Sequence, residues 1–77
     1  MRVSITEKVG YRIKQLRSQL GLSQEKLALK ADLDRTYLAG VETGKRNVTI
    51  TSLEKIVCAL ECSMKEFFDF EKDVDYK

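Results

Sequence analysis

Histidine is absent from this 77-residue chain, as are tryptophan and proline, and glycine occurs only four times. Without histidine, Ser-His-Asp and Cys-His catalytic arrangements and His-containing zinc sites are impossible within the chain. Without proline, and with so little glycine, collagen-like and low-complexity readings fail. No apolar run is long enough to span a bilayer, and the opening MRVSITEKVG is no signal peptide. A soluble, cytoplasmic protein without membrane contact is therefore expected. The two cysteines, Cys58 and Cys62, are four apart, which on a helix means one face. A zinc site would need further ligands from a second chain, so two small hydrophobes in or near a core is the simpler reading. No metal, cofactor or small-molecule ligand is called for, and with no acid/base set the chain is not expected to be an enzyme.

What is present suits one small core. The composition is 43% hydrophobic and 34% charged, too apolar for a disordered tail. The length holds one domain, residues 1–77, with a frayed tail from about residue 70. The net charge of +2 hides an asymmetry: residues 1–46 carry ten Lys/Arg and five acids, residues 47–77 four Lys and seven acids. A basic first half and an acidic second half fit a polyanion-facing end and a different far end, although ordinary helix surface charge reads the same way.

Apolar periodicity and caps place five helices and an all-α fold. Val9, Ile13, Leu16 and Leu20 make one stripe over about Thr6 to Leu20, ended by Gly21. Ser23 caps a second helix, with Leu27, Ala28 and Ala31 inward. Asp34 caps a third, running to about Thr43 and stopped by Gly44. Thr51 and Glu54 form a capping box for a fourth, whose stripe is Leu53, Ile56, Val57 and Leu60. Ser63 and Glu66 open a short fifth helix bearing Met64, Phe67 and Phe68.

The informative stretch is SQEKLALKADLDRTYLAGVETGKRN, from Ser23 to Asn47: two short helices joined by a tight turn at Asp32–Leu33. Ala28 lets the third helix cross the second closely, while Leu33, Leu38 and Val41 hold turn and helix to the core. On the opposite face lie Arg35, Thr36, Ala39, Gly40 and Thr43. Such a face can enter a major groove about 12 Å wide. Arg35 can bond guanine bidentately, Thr36 can meet a base edge or a thymine methyl, and Ala39 and Gly40 admit close approach to DNA. Gln24, in the first turn of the second helix, sits where free N–H groups attract a phosphate. Thr43, Lys45 and Asn47 can hold backbone oxygens, and Arg46 can reach a base edge. Lys45 and Arg46 could equally only compensate the dipole at a helix C-terminus.

These residues resemble the lambda-repressor-like, or XRE-type, helix–turn–helix family: SQEKLA, then A-x-L-D-R-T-Y-L, then E-x-G-K-R-N, over roughly residues 9–68. DRTYLAGVETGKRN is similar, more narrowly, to the controller proteins of restriction–modification systems. The resemblance implies a homodimer binding tandem pseudo-palindromic operators of double-stranded DNA upstream of its own gene, as activator and repressor, with RNA polymerase as a further partner. It implies base reading by Arg35, Thr36 and Arg46, a base or backbone contact by Tyr37, phosphate contacts by Gln24, Lys45 and Asn47, and an Arg17–Glu42 ion pair inside the fold. The chain departs from the pattern in having Asp32 at the usual turn glycine and Val48 at the usual proline. The candidate dimer surface is helix five, with Met64, Phe67 and Phe68, since a small core has little room for all three. A phage-like repressor, an antitoxin DNA-binding subunit and a protein-interaction module without DNA remain the alternatives.

Overall fold

Every helix of the computed structural model, which describes residues 3–70, starts at a side chain able to accept from a free backbone N–H. Ser4 caps α1 (Ile5–Gln19), Ser23 α2 (Gln24–Ala31), Asp34 α3 (Arg35–Glu42), Thr49 α4 (Ile50–Ala59) and Ser63 α5 (Met64–Phe67). The cap bonds run from 3.0 to 3.3 Å. Each satisfies one of the N–H groups that a helix start leaves without a partner, a contribution of about 1 kcal/mol. Glu7 and Glu66 bond back to the N–H of Ser4 and Ser63, completing two capping boxes.

Two boundaries differ from the sequence expectation. The first helix begins at Ile5, one residue early, because Ser4 and Glu7 form the box there. The fourth begins at Ile50 under Thr49, which accepts from the Ser52 N–H, so Thr51 and Glu54 lie inside the helix and form no cap. Leu20 also leaves the expected stripe: it is the C-cap residue of α1, past the last full turn, and is exposed. Gly21 follows with φ +70°, the left-handed geometry that glycine adopts without a Cβ penalty.

The helices close around Ile13, Leu27, Leu38, Ile56 and Phe67, each with no measurable exposure, with α1 packed on α3 and α2 packed on both α3 and α4. Gly10 permits the first of these crossings. A Cβ there would collide with the Val41 carbonyl oxygen and lie 2.6 Å from that of Glu42, both backbone atoms. The seam of α1 therefore rests directly on the last turn of α3.

Phe67 corrects the expected dimer surface. It is wholly buried, stacked edge-on at 5.0 Å against Phe68, and Phe70 is buried beside it. Arg12 reaches across from α1 to hold this end in place, its Nε donating to the Phe67 carbonyl at 2.8 Å and Nη2 to that of Glu66 at 2.6 Å. Of the three candidates, only Met64 and Phe68, one turn apart, stay exposed, at 39% and 43%. Of the tail expected to fray from about residue 70, Phe70 is instead buried, and residues 71–77 lie outside the described residues. Among the described residues there is no strand, and no helix is long and apolar enough to cross a membrane.

Candidate nucleic-acid interface

The α2–α3 turn is built on a residue that is not glycine. Asp32 sits at φ 57°, ψ 48°, in the left-handed region that an Asp tolerates better than most residues. Its N–H donates to the Leu29 carbonyl and the Leu33 N–H to that of Ala28, at 3.2 and 2.9 Å, so the end of α2 is closed. Leu33 then packs on the core, and Asp34 caps α3 immediately.

α3 shows two chemically different sides. Leu38, Val41 and Glu42 are buried; Arg35, Thr36 and Thr43 are exposed, and Ala39 and Gly40 are partly covered. The buried end is fixed by charge. Arg17 Nε and Nη2 donate to the two oxygens of Glu42 at 2.8 and 3.0 Å, and Arg17 Nη1 donates to the Leu22 carbonyl at 2.9 Å. The Glu42 side chain is 2% exposed, so this planar, bidentate pair is shielded from solvent.

Gln24 joins the same cluster, its Nε2 donating to Glu42 Oε1 at 3.0 Å. One of its two amide hydrogens is thus committed inward, leaving the other for an outside acceptor together with the Gln24 and Glu25 backbone N–H groups, since the Ser23 cap takes that of Lys26. Thr43 is likewise engaged: its hydroxyl gives its one proton to the Gly40 carbonyl at 3.1 Å, so as a phosphate donor it would first have to break that bond.

Beyond α3 the chain turns back at Gly44, and Lys45, Arg46 and Asn47 follow, all exposed. The Lys45 and Arg46 N–H groups both donate to the Gly40 carbonyl, at 3.0 and 3.1 Å. Arg46 folds over α3, its Cζ 5.4 Å from the centre of the Tyr37 ring. Tyr37 is braced in turn: its hydroxyl oxygen accepts from the Thr49 N–H at 3.3 Å. Burial pushes the phenol pKa up, but hydrogen bonds from Ser52 and Thr49 and the Arg46 charge outweigh it and bring the pKa below its usual value. Asn47, also exposed, borders an apolar groove lined with Ile5, Thr6, Val9, Val48, Leu53 and Phe68.

The structure therefore gathers Arg35, Thr36, Tyr37, Ala39 and Arg46 on and against one rod, with Lys45 at its end. Gln24 and Thr43 are tied to internal partners, and the space over Gly40, expected to admit DNA, is filled by the Arg46 stem, whose Cγ would be 2.6 Å from a Cβ on Gly40. Helical spacing did not reveal the Thr49–Tyr37 brace, the Gln24–Glu42 bond or the Arg46 fold-back, since each crosses a chain reversal.

A family model for helix-turn-helix proteins matches residues 13–67, well over half of the chain. The chain belongs to the helix-turn-helix family. It is 47% identical to the control protein C.MunI of Mycoplasma sp over 83% of this chain and 89% of that one. It is 45% identical to the control protein C.BamHI of Bacillus amyloliquefaciens over 79% and 76%. Its fold superposes with a TM-score of 0.81, at 46% identity over 87% and 88% of the two chains, on the restriction–modification controller protein C.Esp1396I, solved as a tetramer in complex with its natural 35 base-pair operator. The family is one of DNA-binding transcription regulators, not an enzyme class.

Proposed function

We propose that this chain is a sequence-specific, double-stranded-DNA-binding transcription regulator of the controller type, autoregulating a restriction–modification operon as a homodimer on pseudo-palindromic operators. One observation carries the reading: the Arg35–Thr36 face of α3 is open to solvent while the opposite face is locked by Leu38, Val41 and the Arg17–Glu42 pair. An exposed helix start with an Arg and a Thr, continued by the Arg46 side chain laid over Gly40 and held on a rigid helix, suits major-groove reading. Lys45 and the first turn of α2 flank it with phosphate-seeking donors. Similarity to control proteins over most of both chains favours the controller role.

A single α3 reads too few base pairs to select one site, so pairing is part of the proposal. Met64 and Phe68, continuing into the groove lined by Ile5, Val48 and Leu53, offer an isologous apolar surface. A dimer would set its reading helices about 34–36 Å apart, one turn of duplex. Occupancy of a strong site would recruit RNA polymerase and occupancy of a weaker one would block it, in the cytoplasm beside the chromosome. Mobility shift of a duplex at two salt concentrations tests the binding. With about four phosphates met per subunit, log affinity should fall against log salt with a slope near −7. Absence of any salt-dependent retardation would refute the proposal.

A further inference from the structure

We infer that Gly40 is a positioning residue for Arg46: the missing side chain of Gly40 makes the seat in which the aliphatic stem of Arg46 lies, and so sets where its guanidinium meets DNA. The inference rests on the DNA-binding reading and deepens it. Glycine is the poorest helix former short of proline, yet Gly40 sits inside α3, in its last turn, without the positive φ that would call for glycine. Backbone geometry therefore gives no reason for it. Space does. A Cβ at Gly40 would stand 2.6 Å from Arg46 Cγ, 3.4 Å from its Cβ and 3.7 Å from its Cδ.

Carbon atoms in contact keep about 3.5–4.0 Å, so an alanine would push the root of the Arg46 side chain away by roughly an ångström. The main chain offers little slack to absorb this. The same Gly40 whose Cα faces the stem accepts, through its carbonyl, the N–H groups of Lys45 and Arg46 and the hydroxyl of Thr43. One residue thus anchors the loop and shapes the path of the side chain that leaves it. At the far end of that path the guanidinium lies against Tyr37, whose ring is held through its hydroxyl by the Thr49 N–H. The Arg46 stem and head thus each have a packing partner within the fold, which reduces the rotamer freedom left to lose on binding.

The test is a double-mutant cycle of Gly40→Ala and Arg46→Ala, read by operator affinity, with thermal melts of all four proteins. Gly40→Ala alone should weaken operator binding roughly tenfold, the scale of one misplaced Arg–base contact. Its Tm should change little, because the helix preference of alanine is set against the strain of displacing the Arg46 stem. In the Arg46→Ala background the same change should cost less than about twofold and should raise Tm. Equal losses in both backgrounds would mean that the new methyl obstructs the duplex itself, and no loss in either would mean that the seat is unimportant; each overturns the inference. A DNA-free readout accompanies it. The Arg46 methylene protons, lying over Gly40 toward the Tyr37 ring, should show an upfield NMR shift that collapses in Gly40→Ala, and a shift that survives would also overturn the inference. A wild type that binds no duplex would sink the functional reading instead, leaving the NMR result to decide the geometry.

Discussion

Removing Arg17 should be among the costliest single changes in this protein, although it touches none of the side chains proposed to face DNA. The Arg17→Met variant keeps the aliphatic bulk but strips the donors from both Glu42 oxygens and from the Leu22 carbonyl. Glu42, with its side chain 2% exposed, would retain Gln24 alone as a partner. Breaking a buried pair from one side costs about 3–5 kcal/mol, because the remaining charge is left in poor solvent. The whole domain should have about 4–12 kcal/mol of stability, taking 0.05–0.15 kcal/mol per residue. A large share would therefore go with one residue. With m near 1–1.5 kcal/mol/M, the urea midpoint should fall by about 2–5 M. Removing both charges with Arg17→Met and Glu42→Leu should recover most of the loss, since an apolar replacement of the pair strands no charge. A single variant within about 1 kcal/mol of the wild type, or a double variant as unstable as the sum of Arg17→Met and Glu42→Leu, would refute the reasoning.

Two further outcomes follow from the same geometry. Asp32→Gly should stabilise the turn by about 0.5–1 kcal/mol, raising Tm by roughly 2–8 °C, because a left-handed φ is costly with a Cβ and free for glycine; a lower Tm would show that the Asp side chain contributes more than its strain costs. Iodoacetamide at pH 8, followed by mass spectrometry, should label exposed Cys58 well before Cys62. Burial first, and then the Glu66 charge, push the Cys62 thiol pKa up against the pull of Arg12, leaving it with less reactive thiolate. Equal labelling rates would contradict that ordering.

Much of the fold was legible in the residues because its signals are local. Ser23, Asp34 and Ser63 stand where caps must stand, and the inward stripes of α2, α3 and α4 repeat at helical spacing. The failures have a common physical cause. Thr49 and Thr51 offer the same hydroxyl two residues apart, and α4 starts under Thr49, whose own N–H is bonded to Tyr37 across a chain reversal. Phe67 and Phe68 are adjacent, so spacing could not say which would enter the core; Arg12, more than fifty residues away, captures the carbonyl of one. The outer face of α3 was readable from Arg35 to Thr43, but the fold-back of Arg46 onto Gly40 and Tyr37 depends on a reversal at Gly44 that periodicity does not encode. The bond from Gln24 to Glu42 was invisible for the same reason.

The central claim is that the solvent-facing side of α3 reads bases. The most direct measurement is the affinity of wild type and Arg35→Ala for an operator and for its single-base variants, at one fixed salt concentration. Arg35→Ala should lose about 1–3 kcal/mol on the true operator and lose discrimination at one base position per half-site, with preferences elsewhere intact. An Arg35→Ala protein that ranks every variant as the wild type does would show that some other surface selects the sequence.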